Sequence, residues 1–232
     1  MAEPSPRQPA DSGATVVLLH GLFMRGPIML ALAWRLRNAG YRTHTFSYNT
    51  TAESCAENAK HLHRFVANIE ANTLHFVAHS LGGLVLRHCV PHLGDAPAGF
   101  APVRAGKAVT LGTPHQGNDF ARRLAASSLG RRVLGRSLED CLLGGAPPWA
   151  GTVPLGSIAG SRSLGMGRIL PGLPRPNDGM VAVAETRLTG MSDHIVLPVS
   201  HTGMLFSAAV AQQVLSFLQC GRFDKDGPKR EW

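Results

Sequence analysis

Apolar and polar positions alternate along the chain in two periods. Thr15 to His20, TVVLLH, is a continuous apolar run, the pattern of a strand buried on both faces. Pro27 to Asn38 carries Ile28, Leu30, Leu32, Trp34 and Leu36, with Pro at its start and Gly40 past its end, which predicts a helix. Tyr41 to Tyr48 reads as a second strand. Ala52 to Ile69 reads as a helix with Cys55, Ala59, Leu62, Phe65, Val66 and Ile69 along one face. Leu74 to Ala78 is a third apolar strand, followed by a turn of small residues and a helix from Leu81 to His92. Val103 to Leu111 is the next strand and closes on Gly112-Thr113-Pro114. Asn118 to Leu143 predicts one helix, with Phe120, Leu124, Leu129, Val133, Leu134 and Leu138 as its apolar residues. After a Gly/Pro-rich loop come a short strand, Leu155 to Ala159, and a second such loop from Ser161 to Pro176. The last strand is Asp193 to Val199 and the last helix Gly203 to Gln219.

Strands and helices that alternate in this way imply an α/β fold, a mostly parallel sheet of about six strands with helices on both faces. Ligands of such sheets bind outside the carboxyl ends of the strands. The residues just past each strand are therefore the candidates for chemistry: His20-Gly21-Leu22, Tyr48, Ser80, Thr113 to His115, Asp178 and His201.

The length, 232 residues, suffices for one well-cored domain, expected over residues 15–220. Residues 1–14 are rich in Pro and polar side chains and read as a disordered lead; residues 221–232 read as a polar tail. No apolar run reaches the length of a membrane span, and the first residues lack a secretory apolar core, so a cytoplasmic protein is expected. The net charge of +8 raises the question of nucleic acid. The clustered Arg122, Arg123, Arg131, Arg132 and Arg136 have no aromatic residues interleaved and no nucleic-acid-binding motif around them, which argues against it. Arginines set beside apolar residues suit transient contact with a lipid surface better. Cys55, Cys89, Cys141 and Cys220 are widely spaced with no C-x-x-C, so neither a metal site nor a redox motif is indicated, and nothing in the spacing demands a disulfide. Cys89 and Cys220 fall in helical patterns and read as small core residues.

Ala78-His79-Ser80-Leu81-Gly82 stands between the third strand and its helix. It is the G-x-S-x-G nucleophile elbow with Ala in the first Gly place. Small residues on either side let a serine sit strained and exposed at the end of a strand, next to the positive end of a helix. A serine hydroxyl needs a neutral histidine to take its proton and an acid to hold that histidine in the right tautomer. His201 directly follows the last strand and so reaches the same edge of the sheet; His194 lies at the opposite end of that strand. Asp178, in the turn Asn177-Asp178-Gly179, is the candidate acid, and Asp193 is its rival at the wrong end of the sheet. The N–H of Leu81, just after the nucleophile, and that of Leu22, in the loop after the first strand, are the candidate donors to an oxyanion. Phe23, Met24 and His115 are the candidate substrate contacts.

Four segments in order, VVLLHGLF, FVAHSLGGLVLR, VTLGTPHQG, and NDGMV followed by SHTGML, resemble the α/β-hydrolase superfamily. The likeness is to bacterial lipase-like and GPI inositol-deacylase-like serine esterases. It implies the α/β-hydrolase fold, Ser80 as nucleophile, Asp178 as acid, His201 as base, an oxyanion hole at Leu22 and Leu81, and no metal or organic cofactor. It also implies a short cap or lid at about residues 118–154. The expected activity is hydrolysis of a small-molecule carboxylic ester with an apolar acyl chain, through an acyl-enzyme. Acyl transfer to another alcohol or a thioesterase activity would use the same residues, and a non-catalytic binding protein on this fold is the reading from another class.

Overall fold

The computed structural model describes residues 14–95, 104–149, 151, 153–164 and 173–226. Residues 1–13 of the expected disordered lead and 227–232 of the tail lie outside that set, while Ala14, expected in the lead, is buried. The strands are β1 (Thr15–Leu19), β2 (Arg42–Phe46), β3 (Leu74–His79), β4 (Ala105–Leu111), β5 (Leu155–Gly160) and β6 (Asp193–Leu197). They form one sheet in the order β2-β1-β3-β4-β5-β6, and every pairing is parallel. The apolar run of β1 is explained by its place inside the sheet, where all five of its residues are buried.

The helices are α1 (Leu30–Asn38), α2 (Cys55–Ala67), α3 (Leu81–Cys89), α4 (Asp119–Leu124), α5 (Ser128–Leu134) and α6 (Ala208–Cys220). Side chains alternate across the sheet and divide the core in two. Val16, Leu18, Val77, Val109 and Ile158 meet Leu32 and Leu36 of α1 and Val210, Val214 and Phe217 of α6. Val17, Leu19, Phe76, Ala78 and Ala108 meet Leu62 and Val66 of α2 and Leu84 and Val85 of α3 on the other face. The chain leaves β1 over one face to reach β2, then returns over the other face to β3. The strand order therefore reverses between β1 and β3, which opens a crevice at their carboxyl ends. None of the helices among the described residues is long and apolar enough to cross a membrane.

The expected helix at 118–143 is broken into α4, α5 and a 3-10 turn over Gly135–Leu138. Two caps explain the break: Asn118 accepts from the N–H of Ala121 at 2.9 Å and Ser127 from that of Gly130 at 3.0 Å, so a new helix starts at Ser128. Its apolar residues do not form one buried stripe, because Leu129 is 71% and Val133 45% exposed. Cys55 and Cys141 are joined by a disulfide across 86 residues, with their Cα atoms 6.1 Å apart. Cys220 is exposed, not a core residue, because α6 buries the face carrying Val210, Val214 and Phe217. Cys89 is buried as expected. The start of the C-terminal segment packs on the domain, with Phe223 buried against Phe217.

Candidate active site

Ser80 occupies the sharp corner between β3 and α3. Its φ of 53° and ψ of −121° put it outside the regions that a side chain with a Cβ favours. Phe23 (φ 58°), in the loop after β1, is the other non-glycine residue with positive φ among the described residues. Backbone strain of this kind costs about 1–3 kcal/mol per residue and persists only where the surroundings enforce it. The enforcement is visible on both sides. Ser80 donates its N–H to Leu111 O at 2.8 Å, and its carbonyl accepts from Thr113 Oγ1 at 2.9 Å and the N–H of Gly83 at 3.1 Å. The N–H of Phe23 is held by Thr50 Oγ1 at 3.2 Å. Gly82 and Gly83 let α3 approach this closely: a Cβ on Gly82 would stand 2.7 Å from His20 O, and one on Gly83 would overlap Thr113. Ala78 lies inside β3 and is fully buried without such a conflict.

His201 comes to Ser80 from the loop after β6, and its Nε2 lies 3.0 Å from Ser80 Oγ. Its Nδ1 lies 2.7 Å from Oδ2 of Asp178. An ionised carboxylate only accepts, so Nδ1 carries the proton and Nε2 presents its lone pair to the serine hydroxyl. The other oxygen of Asp178, Oδ1, accepts from the N–H groups of Met180 at 2.9 Å and Val181 at 2.8 Å. The N–H of His201 donates to Asp178 O at 2.9 Å, so the two loops are tied together directly. Gly112, at φ 57°, passes beside the pair; a Cβ there would sit 3.0 Å from both Asp178 Oδ2 and His201 Nδ1. Asp193 and His194 are engaged elsewhere, Asp193 with the N–H of Phe223 and with Lys225 Nζ, and His194 with Thr186 Oγ1.

Leu22, Phe23 and Met24 line one cavity together with Ser80 and His201. Leu81 is the first residue of α3, where the leading N–H groups of a helix have no partner within it. His115 does not join this cavity. It is buried behind the sheet edge with Nε2 3.0 Å from Thr110 Oγ1, and its carbonyl accepts from Arg87. Burial, then the Arg87 guanidinium, then His194 lower its pKa to about 3.

Sequence reasoning passed over His79 as a support. The His79 ring is buried against that of His201, with centroids 4.7 Å apart, and its Nε2 lies 3.0 Å from His201 O. That carbonyl can only accept, so Nε2 carries the hydrogen. Burial first, and the neighbouring His201 second, hold His79 well below the usual histidine range. Tyr48, marked in sequence only by its place after β2, donates its hydroxyl to His20 O at 2.7 Å and stacks on the His20 ring. The only local signal for His79 was its place inside the elbow.

Buried neutral histidines carry a consequence for stability. A folded-state pKa pushed down to about 3 means that, below the unfolded value of about 6.5, the unfolded chain binds a proton that His115 in the fold does not. Stability is then present above pH 6.5 and is lost as pH falls from there toward 3, at up to about 1.4 kcal/mol per pH unit for each such group. Denaturant titrations of wild type and His115→Gln between pH 7 and pH 4 should show a shallower acid slope in the variant. Parallel curves would remove His115 from the account.

Among the described residues, Cys55, Asp140 and Cys141 are the group whose donor atoms lie close enough for one metal ion, but the two sulfurs are bonded to each other and the group lies at the start of α2.

Parallel sheet, reversal point, strained serine corner, and loops carrying Asp178 and His201 at the same edge define an α/β-hydrolase fold. The solved structures similar to it agree. The mature form of a Bacillus licheniformis lipase superposes with a TM-score of 0.68 at 16% identity, over 91% of this chain and 93% of that one. A metagenomic carboxyl esterase gives 0.64 at 21% identity, over 85% of this chain and 67% of the other. The carboxylesterase CesB of Bacillus subtilis gives 0.59 at 17% identity, over 91% and 85%. Identities this low establish the fold alone. Within that fold, the chain belongs to the family described as Domain of unknown function (DUF7379), which matches residues 2–146. The matched span contains the Ser80 elbow and ends before Asp178 and His201. No curated protein matches the chain in sequence.

Proposed function

We propose that the protein is a serine hydrolase of small carboxylic esters. The observation that carries this reading is the line Asp178–His201–Ser80, with contacts of 2.7 and 3.0 Å, opening onto a largely apolar cavity. His201 takes the proton of Ser80 as Oγ attacks the ester carbonyl. The N–H groups of Leu22 and Leu81 receive the oxyanion. The alcohol leaves with the proton from His201, and water activated by the same ring releases the acid. Asp178 stays ionised and stabilises the imidazolium. The chemistry calls on no metal or organic cofactor. From the expected cap region, Asn118, Phe120, Ala121, Leu134 and Leu142 line the cavity. Beyond Phe23 and Met24 a polar groove of about 540 Å³, with Arg25, Ser47, Asn49 and Thr50 on its walls, offers room for the alcohol half.

Incubation with p-nitrophenyl esters and with a fluorophosphonate probe tests the reading. The expected result is ester turnover and a single labelled residue, Ser80. Labelling with no turnover until an acceptor alcohol is added would reassign the protein as an acyltransferase. Absence of both would remove the catalytic reading.

A further inference from the structure

The cavity at Ser80 is small, and its lining is mostly apolar. Its volume is about 140 Å³. An apolar cavity of about 150 Å³ accepts a guest the size of benzene, so this one matches an acyl chain of about six carbons. Two buried leucines, Leu134 at 1% and Leu142 at 4% exposure, stand among its lining residues. Both belong to the stretch from the end of α5 to Leu142, which is no part of the sheet.

That stretch is fastened to α2 instead. Cys141 is covalently bonded to Cys55, the first residue of α2. The Asp140 carboxylate accepts from the N–H groups of Cys55 at 2.9 Å and Ala56 at 2.8 Å, where the helix dipole favours a negative charge. The Arg136 guanidinium reaches Glu57 at 2.6 Å and Glu139 at 3.0 Å, and the Arg136 N–H donates to Thr51 O at 2.8 Å. His88 of α3 adds a contact from Nε2 to Asp140 O at 3.1 Å. A lid that swings open on substrate binding needs few attachments. This segment carries a covalent one flanked by hydrogen bonds on both sides.

We propose that Leu134 and Leu142 form the end wall of an acyl pocket for chains of about six carbons or fewer, and that the Cys55–Cys141 bond holds this wall in place. The assignment rests on the proposed ester hydrolysis at Ser80 and narrows its substrate class to short-chain esters. A longer chain would have to displace a leucine and pull against the bond to α2. The bond also bears on the cellular setting. Structural disulfides persist in oxidising compartments, so it runs against the cytoplasmic expectation from sequence.

The test compares kcat/KM for p-nitrophenyl esters from acetate to palmitate in the full chain, with Leu142→Ala and Cys141→Ser as variants. Wild type should be best at butanoate to hexanoate and fall by about tenfold or more at dodecanoate, as a chain outgrows a small apolar pocket. Either variant should raise the dodecanoate-to-butanoate ratio by about tenfold. A wild-type preference for long chains, an unchanged ratio in both variants, or four free thiols in the native protein would overturn the proposal. A ratio that moves in Leu142→Ala but not in Cys141→Ser would overturn the role of the bond. A readout independent of turnover separates this proposal from the hydrolase reading: the rise in Tm produced by straight-chain carboxylic acids. If no ester is hydrolysed, the hydrolase reading fails. A Tm shift that peaks near hexanoate would still support the wall, and one that climbs through dodecanoate would overturn it.

Discussion

Ser80→Ala should lower kcat for ester hydrolysis by a factor of about 10⁴ or more while the fold survives. The change removes one oxygen and keeps the Cβ. The corner at φ 53° is set by the Leu111, Gly83 and Thr113 bonds to the Ser80 backbone, none of which uses its hydroxyl. What disappears is the contact with His201 Nε2 at 3.0 Å, an ordinary hydrogen bond whose loss costs about 1 kcal/mol of stability. Of the other polar side chains lining the cavity, His79, Asn118, His201 and Thr202, only Thr202 carries a hydroxyl, and His201 Nε2 is aimed at Ser80 Oγ instead. Residual catalysis above water is expected from the oxyanion donors and from binding, which do not depend on the hydroxyl. The measurement pairs steady-state kinetics with denaturant unfolding. A variant keeping more than about a tenth of wild-type kcat would rule out Ser80 as nucleophile, since loss of a triad member costs far more. Ser80→Gly offers a check on the strain. It should be equally inactive, and its stability should exceed that of the Ala variant by about 1 kcal/mol, because glycine tolerates positive φ.

The parts of this site that sequence alone could reach are those fixed by local order. β3, the small residues around Ser80 and α3 follow one another without a gap, so the serine corner is written in consecutive positions. The position of His201 was legible because it directly follows an apolar strand, and that of Asp178 because a carboxylate in a turn before a short apolar run fits the order of the proposed triad. Asp178 is fully buried with both oxygens hydrogen-bonded, which an ordinary Asp-Gly turn at the surface does not require. The parts that were not legible depend on contacts far apart in sequence. Cys55 and Cys141 are separated by 86 residues, and no spacing rule links them. The single helix expected at 118–143 ignored the capping side chains of Asn118 and Ser127, whose effect is local but is outweighed in any count of apolar positions. His79 was hidden for a further reason. Its Nε2 contact is to a backbone carbonyl 122 residues away, so no pairing of side-chain types announces it.

Asp178→Asn should cost a factor of about 10⁴ in kcat although the two side chains have nearly the same shape. The cause lies in the hydrogen positions. The N–H groups of Met180 and Val181 both point at Oδ1, at 2.9 and 2.8 Å. An asparagine must place its carbonyl oxygen there to accept from them, which sends its amide nitrogen to the position of Oδ2, 2.7 Å from His201 Nδ1. That amide donates, so Nδ1 must accept. The ring then carries its hydrogen on Nε2, the atom that faces Ser80 Oγ, and can no longer take the serine proton. Binding of substrate should change little, so the loss should appear in kcat rather than KM. Imidazole NMR supplies an independent readout: the Nδ1–H signal of His201 should vanish and an Nε2–H signal replace it. Asp193→Asn is the matched control. Its carboxylate serves Phe223 N–H at 2.8 Å and Lys225 Nζ at 2.6 Å at the far end of β6, so kcat should stay within about threefold of wild type, as for surface substitutions away from a site. If the Asp193 variant lost activity and the Asp178 variant kept it, the acid would lie at the opposite end of the strand, and the tautomer argument for His201 would have to be rebuilt from there.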